Sequence, residues 1–273
     1  MTITKNLFSL ENKTVVITGA LGHLGKSFCN ELAKAGSNIV VTDLDEENCI
    51  KQSNDLMNKY DVECIGVHCD VTSKISVTKM VSKAINIFEK VDVLINNAVY
   101  RSTNINNYFN HFEDYDIKEW NKSIQVNLNG IFLCSQVIGS IMKKQLLGGS
   151  IINISSIYGV IGVDDNLYKR SRDLGHIMNT PVGYSVSKGA IIAFTKYLAC
   201  YWGSHNIRVN TISPGGVEKD QNELFQEDYA NKVPIGRMAN TDEISSVVVF
   251  LSSEASNYVT GQNLIVDGGL TAW

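Results

Sequence analysis

The sequence contains no unbroken apolar run of the ~20 residues that a bilayer-spanning helix needs, which argues against a membrane protein. Met1 to Phe8 hold too short an apolar run for a signal peptide. Basic residues are in no excess: 24 Lys and Arg stand against 28 Asp and Glu, a net charge of −4, so nothing favours nucleic-acid binding. Paired cysteines are missing too. Cys29, Cys49, Cys64, Cys69, Cys134 and Cys200 are scattered singly, with neither metal-ligand spacing nor a disulfide framework. Buried free thiols in a reducing cytoplasm are the expectation, with no metal site. No repeat, low-complexity tract or linker interrupts the chain, so one domain over residues 1–273 is expected. What remains, 44% apolar and 19% charged, is ordinary globular composition.

Short apolar runs alternate with helical patterns along the whole chain. Thr14–Thr18, Asn38–Thr42, Cys64–His68, Val91–Ile95, Ser150–Ile154, Ile207–Ile212 and Leu264–Val266 read as strands. Such alternation predicts an α/β protein: a doubly wound parallel sheet of Rossmann type between two helical layers. Directly after the first run comes Gly19-Ala20-Leu21-Gly22-His23-Leu24-Gly25, then a helical pattern through Phe28 and Leu32. A glycine-rich turn there lets backbone N–H groups approach a pyrophosphate at a positive helix end, although a tight turn without a ligand has the same spacing. Asp43 follows Gly25 by 18 residues. Its carboxylate suits the two ribose hydroxyls of NAD and opposes a 2′-phosphate, or else it caps the next helix. No Arg or Lys stands at Ala20, Leu21 or Leu44, which again favours NAD over NADP.

Gly183-Tyr184-Ser185-Val186-Ser187-Lys188 opens a long helix without proline, so Tyr184 and Lys188 lie one turn apart on one face. A phenol titrates near ~10 and is idle as a base at neutrality. An ammonium about 4 Å away contributes roughly 4 kcal/mol at an effective dielectric of about 20. That predicts a phenol lowered by up to about three units, toward pH 7.

Taken together, Thr18-Gly19, Gly22, Gly25, Asp70-Val71, Asn96-Asn97-Ala98, Asn127, Asn153-Ile154-Ser155-Ser156, Tyr184 with Lys188, Pro214-Gly215 and Val266-Asp267-Gly268-Gly269 resemble the short-chain dehydrogenase/reductase family in order and over nearly the whole chain. The resemblance implies Tyr184 as acid/base, Lys188 as its tuning cation and ribose holder, and Asn127 as holder of a relay water. It also implies a serine on the reacting oxygen, and the motif's order selects Ser156, with Ser155 the alternative. Cofactor contacts are implied for Gly19, Gly22, His23, Leu24 and Gly25, for Asp43 and Leu44, and for Asp70 and Val71. Asn97 and Ala98, Tyr184 and Lys188, and Pro214, Gly216 and Val217 complete the set.

The chain departs from the family pattern in four places. His23 stands where the turn usually has a glycine, and Gly22 precedes it, a spacing closer to the extended, sugar-modifying branch. Val99 replaces a common glycine, and Glu218-Lys219-Asp220 lacks the threonine that often steadies the nicotinamide amide. Ser156 and Tyr184 are 28 positions apart, about twice the usual spacing. The extra residues near 162–182, with the long segment near 99–116, are expected to border the substrate. Lys169, Arg170 and Arg172 either grip an anionic group or balance the acids of the same segment, which also holds His176, in solvent; Arg101 and His111 are lesser candidates. The chain looks most like bacterial oxidoreductases of surface-sugar routes such as flagellin modification and nonulosonic-acid synthesis. That implies an NAD-dependent interconversion of a secondary alcohol and a ketone on a small molecule, a sugar that is neutral or anionic. An epimerase or dehydratase of the extended branch and a cofactor-binding regulator without turnover are the alternatives. The apolar helices near Trp120 and Tyr184 and the C-terminal Trp273 suggest a homodimer or homotetramer.

Overall fold

The computed structural model describes residues 6–273, so the signal-peptide reading of the first five residues lies outside it. In chain order the elements are β1 Thr14–Thr18, α1 His23–Lys34, β2 Asn38–Asp43, α2 Glu46–Lys59, β3 Cys64–His68, α3 Lys74–Phe88 and β4 Val93–Asn96. A short α4 (Ile105–Tyr108) precedes α5 Ile117–Ile124 and α6 Gly130–Gln145. There follow β5 Gly149–Ile154, α7 Asn166–Asp173, α8 Val182–Trp202, β6 Ile207–Pro214, α9 Glu223–Ala230, α10 Thr241–Ser252 and β7 Asn263–Val266.

All seven strands pair in parallel in the order β3-β2-β1-β4-β5-β6-β7, the doubly wound topology expected. Every residue of β1 and of β6 is buried, because helices cover both faces. Strand alternation divides the core in two. Val15, Ile17, Ile95 and Ile152 meet Phe28 and Leu32 of α1 and Val248 and Leu251 of α10. Val16, Leu94 and Ile151 meet Met80 of α3, Ile138 and Met142 of α6, and Leu198 and Trp202 of α8. The strand order reverses between β1 and β4, and a crevice at such a reversal is where parallel sheets bind ligands.

Two expectations change. Residues 117–145 form one helical run of 29 residues, long and apolar enough to cross a membrane by length and composition. Reading unbroken apolar runs missed it, because polar residues punctuate its outward face. It packs on β4, β5, α3 and α8. Five cysteines are buried as expected, but Cys200 is exposed on α8. The Trp273 indole N–H donates to Lys232 O at 3.3 Å while the side chain stays exposed.

Candidate active site

The tips of β1 and β4 make the first half of the site. Gly19 has a φ of +63°, and a Cβ on it would lie 2.7 Å from Ala98 Cα, so only glycine lets the two tips come this close. The Thr18 hydroxyl accepts from the N–H groups of Asn97 (3.1 Å) and Ala98 (3.2 Å). The Asn97 amide donates to Thr18 O (3.2 Å) and Gly19 O (2.8 Å), so it braces the turn rather than facing outward as a free ligand contact. A Cβ on Gly25 would fall 2.3 Å from Gly19 O, which fixes glycine there as well.

Helix α1 starts at His23 with Gly22 before it and no side-chain cap, whereas Asp45, Ser73 and Asn222 cap α2, α3 and α9. Its first N–H groups and positive end are available to an anion. Leu24 packs inward on the core. Asp43 turns its carboxylate to the same turn, Oδ2 accepting from Leu21 N–H (3.0 Å) and Oδ1 from Leu44 N–H (2.8 Å). The capping alternative falls to Asp45, which accepts from Asn48 N–H at 3.0 Å. Asp70 accepts from the N–H and hydroxyl of Thr72 (2.9 and 2.7 Å), Val71 packs on Gly130, and Leu44 is exposed at the rim. Beyond Pro214, Val217 bridges to Ala239, and His23 Nε2 lies 2.9 Å from Glu218 O, clasping the glycine turn to the segment after β6. A turn with glycines at its closest backbone approaches, an uncapped helix end and a carboxylate at the tip of β2 fit a dinucleotide's pyrophosphate and ribose.

The second half lies where α8 meets the end of β5. Lys188 is buried, its ammonium donating to Ile154 O at 2.6 Å and lying 5.4 Å from the centre of the Tyr184 ring. Burial lowers its pKa from 10.5 to about 8, which leaves it mainly cationic at pH 7. Ser155 and Ser156 point to opposite sides, as consecutive extended residues do. Ser155 donates to Lys188 O at 2.7 Å, whereas the Ser156 hydroxyl lies beside the Tyr184 phenol and lowers its pKa. The tuning of Tyr184 differs from expectation. Burial is the largest influence and raises the phenol above its ordinary value, outweighing the Ser156 hydrogen bond that lowers it.

Asn127 is wholly buried on a π-turn, Gln125–Asn129, an irregularity that re-aims side chains within a helix. Its Oδ1 accepts from Tyr100 N–H (2.7 Å), its amide donates to Ser187 Oγ (3.1 Å), and Ser187 Oγ donates to Tyr184 O (2.7 Å). The asparagine therefore ties the segment after β4 to the turn of α8 that carries Tyr184.

A sequence profile of the family described as "Enoyl-(Acyl carrier protein) reductase" matches residues 19–271. The 3-oxoacyl-(acyl-carrier-protein) reductase of Aquifex aeolicus is 31% identical over 265 residues, covering 96% of this chain and 98% of that one. A solved short-chain type dehydrogenase/reductase from Mycobacterium marinum superposes with a TM-score of 0.83 at 28% identity, covering 98% of each chain. The chain belongs to the short-chain dehydrogenase/reductase family. Its relatives in that family are oxidoreductases acting on hydroxyl or keto groups with NAD or NADP. An NAD-dependent glycerol dehydrogenase of Listeria innocua is 30% identical (97% of this chain, 96% of that one), and post-translational flagellin modification protein A of Campylobacter coli is 30% identical (95% and 98%). A gluconate 5-dehydrogenase from Burkholderia cenocepacia, solved with NADP and tartrate, has a TM-score of 0.84 at 26% identity, covering 98% of each chain.

Within this short-chain dehydrogenase/reductase frame, the two long segments expected to border the substrate carry structure of their own. Residues 99–116 are more ordered than their loop-like sequence: α4 and a turn at Phe112–Asp114 break them up. Tyr108 OH donates to Tyr100 O (3.1 Å), the two rings meet edge-on at 5.9 Å, and Tyr100 OH donates to Glu119 (3.0 Å). In the insertion, α7 packs on α9 through Leu167, Tyr168, Phe225 and Tyr229. Arg170 pairs with Glu227 (2.9 Å) and Asp228 (3.0 Å), and Arg172 grips Asp165 (2.7 and 2.6 Å). Of the two readings open in the sequence, balanced charge holds for both arginines; Lys169 and His176 are exposed.

Sequence reasoning missed α9, whose available signal was Asn222 as a helix cap, accepting from Phe225 N–H at 2.9 Å. The Tyr229 hydroxyl accepts from Gly216 N–H, and a Cβ on Gly216 would lie 2.6 Å from Tyr229 Cζ. The glycine pair after Pro214 is the imprint of that tyrosine. Tyr168, on α7, joins its hydroxyl to those of Tyr158 (2.9 Å) and Thr180 (2.7 Å).

Proposed function

We propose that this enzyme prefers NAD and interconverts a secondary alcohol and a ketone on a sugar or sugar derivative of a surface-glycan route. The observation that carries the reading is the Ser156 hydroxyl beside the Tyr184 phenol, with the Lys188 ammonium one turn further on. A bound nicotinamide supplies the hydride donor or acceptor. Ser156 orients the reacting oxygen, and Tyr184 gives or takes the proton at its phenolic oxygen. Because burial raises the phenol, its protonated form is the resting one at neutral pH, suited to donating to a carbonyl oxygen during reduction. Lys188 keeps a cation beside the ring, and its bond to Ile154 O holds it in place.

The preference for NAD is supported by Asp43, whose carboxylate stands by the glycine turn where a 2′-phosphate would be repelled. Relatives are divided, one named for NAD and one solved with NADP. The sugar assignment draws on the gluconate and flagellin-modification relatives. A homodimer or homotetramer is supported by Phe132 of α6 and by Val186, Tyr197 and Tyr201 of α8, all exposed. Buried unpaired thiols support a cytoplasmic setting.

The test is a cofactor-reduction screen with NAD and NADP against sugars, sugar acids, sugar phosphates and nucleotide sugars, with Tyr184→Phe as the blank. Turnover by the wild type and a fall of roughly 10²–10⁴ in the variant, with NADH binding retained, is the expected result. Dinucleotide binding without turnover of any compound sinks the catalytic reading and revives the regulator.

A further inference from the structure

The cations around the substrate side are of two kinds. Most already hold a carboxylate: Arg170, Arg172, Lys232 with Asp164, and Lys122 with Glu119. Arg101 has neither a hydrogen bond nor an ion pair among the described residues. Its place in the chain is nevertheless held on both sides. Tyr100 N–H donates to Asn127, which reaches the Tyr184 carbonyl through Ser187. Tyr108 OH donates back to Tyr100 O and closes the loop that Arg101 begins. The guanidinium charge acts on the phenols of both Tyr184 and Tyr108 and lowers each, against the larger effect of burial. Arg101 is exposed and directly follows the tethered Tyr100, so its unpaired guanidinium stands on the segment tied to the Tyr184 turn, open to an incoming oxyanion. Its planar fork matches a carboxylate or a phosphate.

We propose that Arg101 binds an oxyanion of the substrate, a carboxylate or a phosphate monoester, and that the preferred substrate is an anionic hydroxy compound. The inference rests on the oxidoreductase reading above and moves the anion grip from the insertion to the segment after β4. The insertion's arginines, already engaged with acids, have no such role.

The test uses full-length wild type, Arg101→Gln and Arg101→Lys. Calorimetry titrates D-gluconate, D-glucose 6-phosphate and neutral sorbitol into the NADH-bound protein. One anion should bind the wild type at least about tenfold more tightly than sorbitol, and Arg101→Gln should lose roughly ten- to hundredfold of that affinity. Arg101→Lys should keep part of it. Gluconate ahead of the phosphate assigns a carboxylate, and the reverse order a phosphate. In turnover, the ratio of kcat/KM for the anionic over the neutral substrate should fall at least about tenfold in Arg101→Gln, chiefly through KM. Anion affinity equal in wild type and Arg101→Gln, or no anion binding at all, overturns the proposal. The two readings fail separately. Arginine-dependent anion binding with no turnover of any compound upholds this site and sinks the oxidoreductase; turnover of neutral polyols without anion preference does the reverse.

Discussion

The glycine turn at the β1–β4 reversal and the segments 99–116 and 162–182 flank one tyrosine, yet they are built by opposite means. At the turn, backbone meets backbone: Thr18 and Asn97 lock the loop, and the absence of Cβ atoms sets the spacing. Along the insertion, side chains hold side chains, through ion pairs at Arg170 and Arg172 and the Tyr158–Tyr168–Thr180 hydroxyls. A backbone-built site is intolerant of a single methyl group. Exposed ion pairs are worth about 0–1 kcal/mol each, so that surface can be rewritten cheaply. The contrast accounts for relatives named for acyl carriers, glycerol and gluconate that share this chain's fold or sequence.

The severest way to break the contrast is Gly19→Ala. The new Cβ would lie 2.7 Å from Ala98 Cα at a φ of +63°, and neither backbone can yield without parting β1 from β4. A loss of about 3 kcal/mol is expected, a fall of roughly 6–12 °C in Tm, together with at least a tenfold loss of NADH affinity. Calorimetric melting and NADH fluorescence titration measure the two. An unchanged Tm would mean that the close approach is not what the glycine serves.

Next in size is the cost of the buried Lys188. Its folded pKa of about 8 lies below its ordinary 10.5, so between those values the unfolded chain binds more protons. Stability must then rise as pH climbs from about 8 toward 10.5, whereas below 8 the cost of burying the cation is complete and constant. Lys188→Met is expected to be more stable at pH 7 by up to about 3 kcal/mol, less whatever the bond to Ile154 O contributes. That advantage should vanish near pH 10.5. Urea unfolding at pH 7, 9 and 10.5 follows it, and a pH-independent difference would contradict the assignment.

Sequence and structure agree most where the physics is local. Apolar runs such as Val15-Val16-Ile17 read as strands because both faces are covered, and their alternation with helices dictates a parallel sheet. The one-turn spacing of Tyr184 and Lys188 and the opposite facing of Ser155 and Ser156 follow from helix and strand geometry alone. What could not be read depends on partners far along the chain. Lys188 bonds Ile154 O, 34 residues earlier, and burial of the Tyr184 phenol outweighs the groups that lower it. Helix α9 takes its place from Tyr168 stacking on Phe225 at 5.6 Å, and the acids that Arg170 meets are on α9. Arg101 ranks only as a lesser candidate for the converse reason: what sets it apart is the lack of a partner, which no spacing reveals.

Asp43 sharpens the contrast at the boundary between the two kinds of construction, since it is a charged side chain held by backbone N–H groups. Asp43→Asn keeps an oxygen that can accept from Leu21 N–H and removes the charge. The ratio of kcat/KM with NADP to that with NAD should rise about tenfold, near 1.4 kcal/mol, while Tm moves little. Steady-state kinetics with both cofactors decides. An unchanged ratio would take the preference for NAD away from this carboxylate.

The smallest effect belongs to the insertion's arginines, and its smallness is the point. Arg170 is half exposed and Arg172 a quarter exposed, and their acids Glu227 and Asp165 are more exposed still. Water screens such pairs, and fixing two long side chains costs entropy. Arg170→Ala and Arg172→Ala should each lose no more than about 1 kcal/mol in urea unfolding and change kcat/KM less than about threefold, whatever the charge of the substrate. A tenfold rise in KM for an anionic substrate alone, in either variant, would mean that the insertion reaches the substrate after all. The two sides of the pocket would then share one logic of charged recognition, and the division drawn between backbone-built and side-chain-built halves would have to move outward, beyond α7.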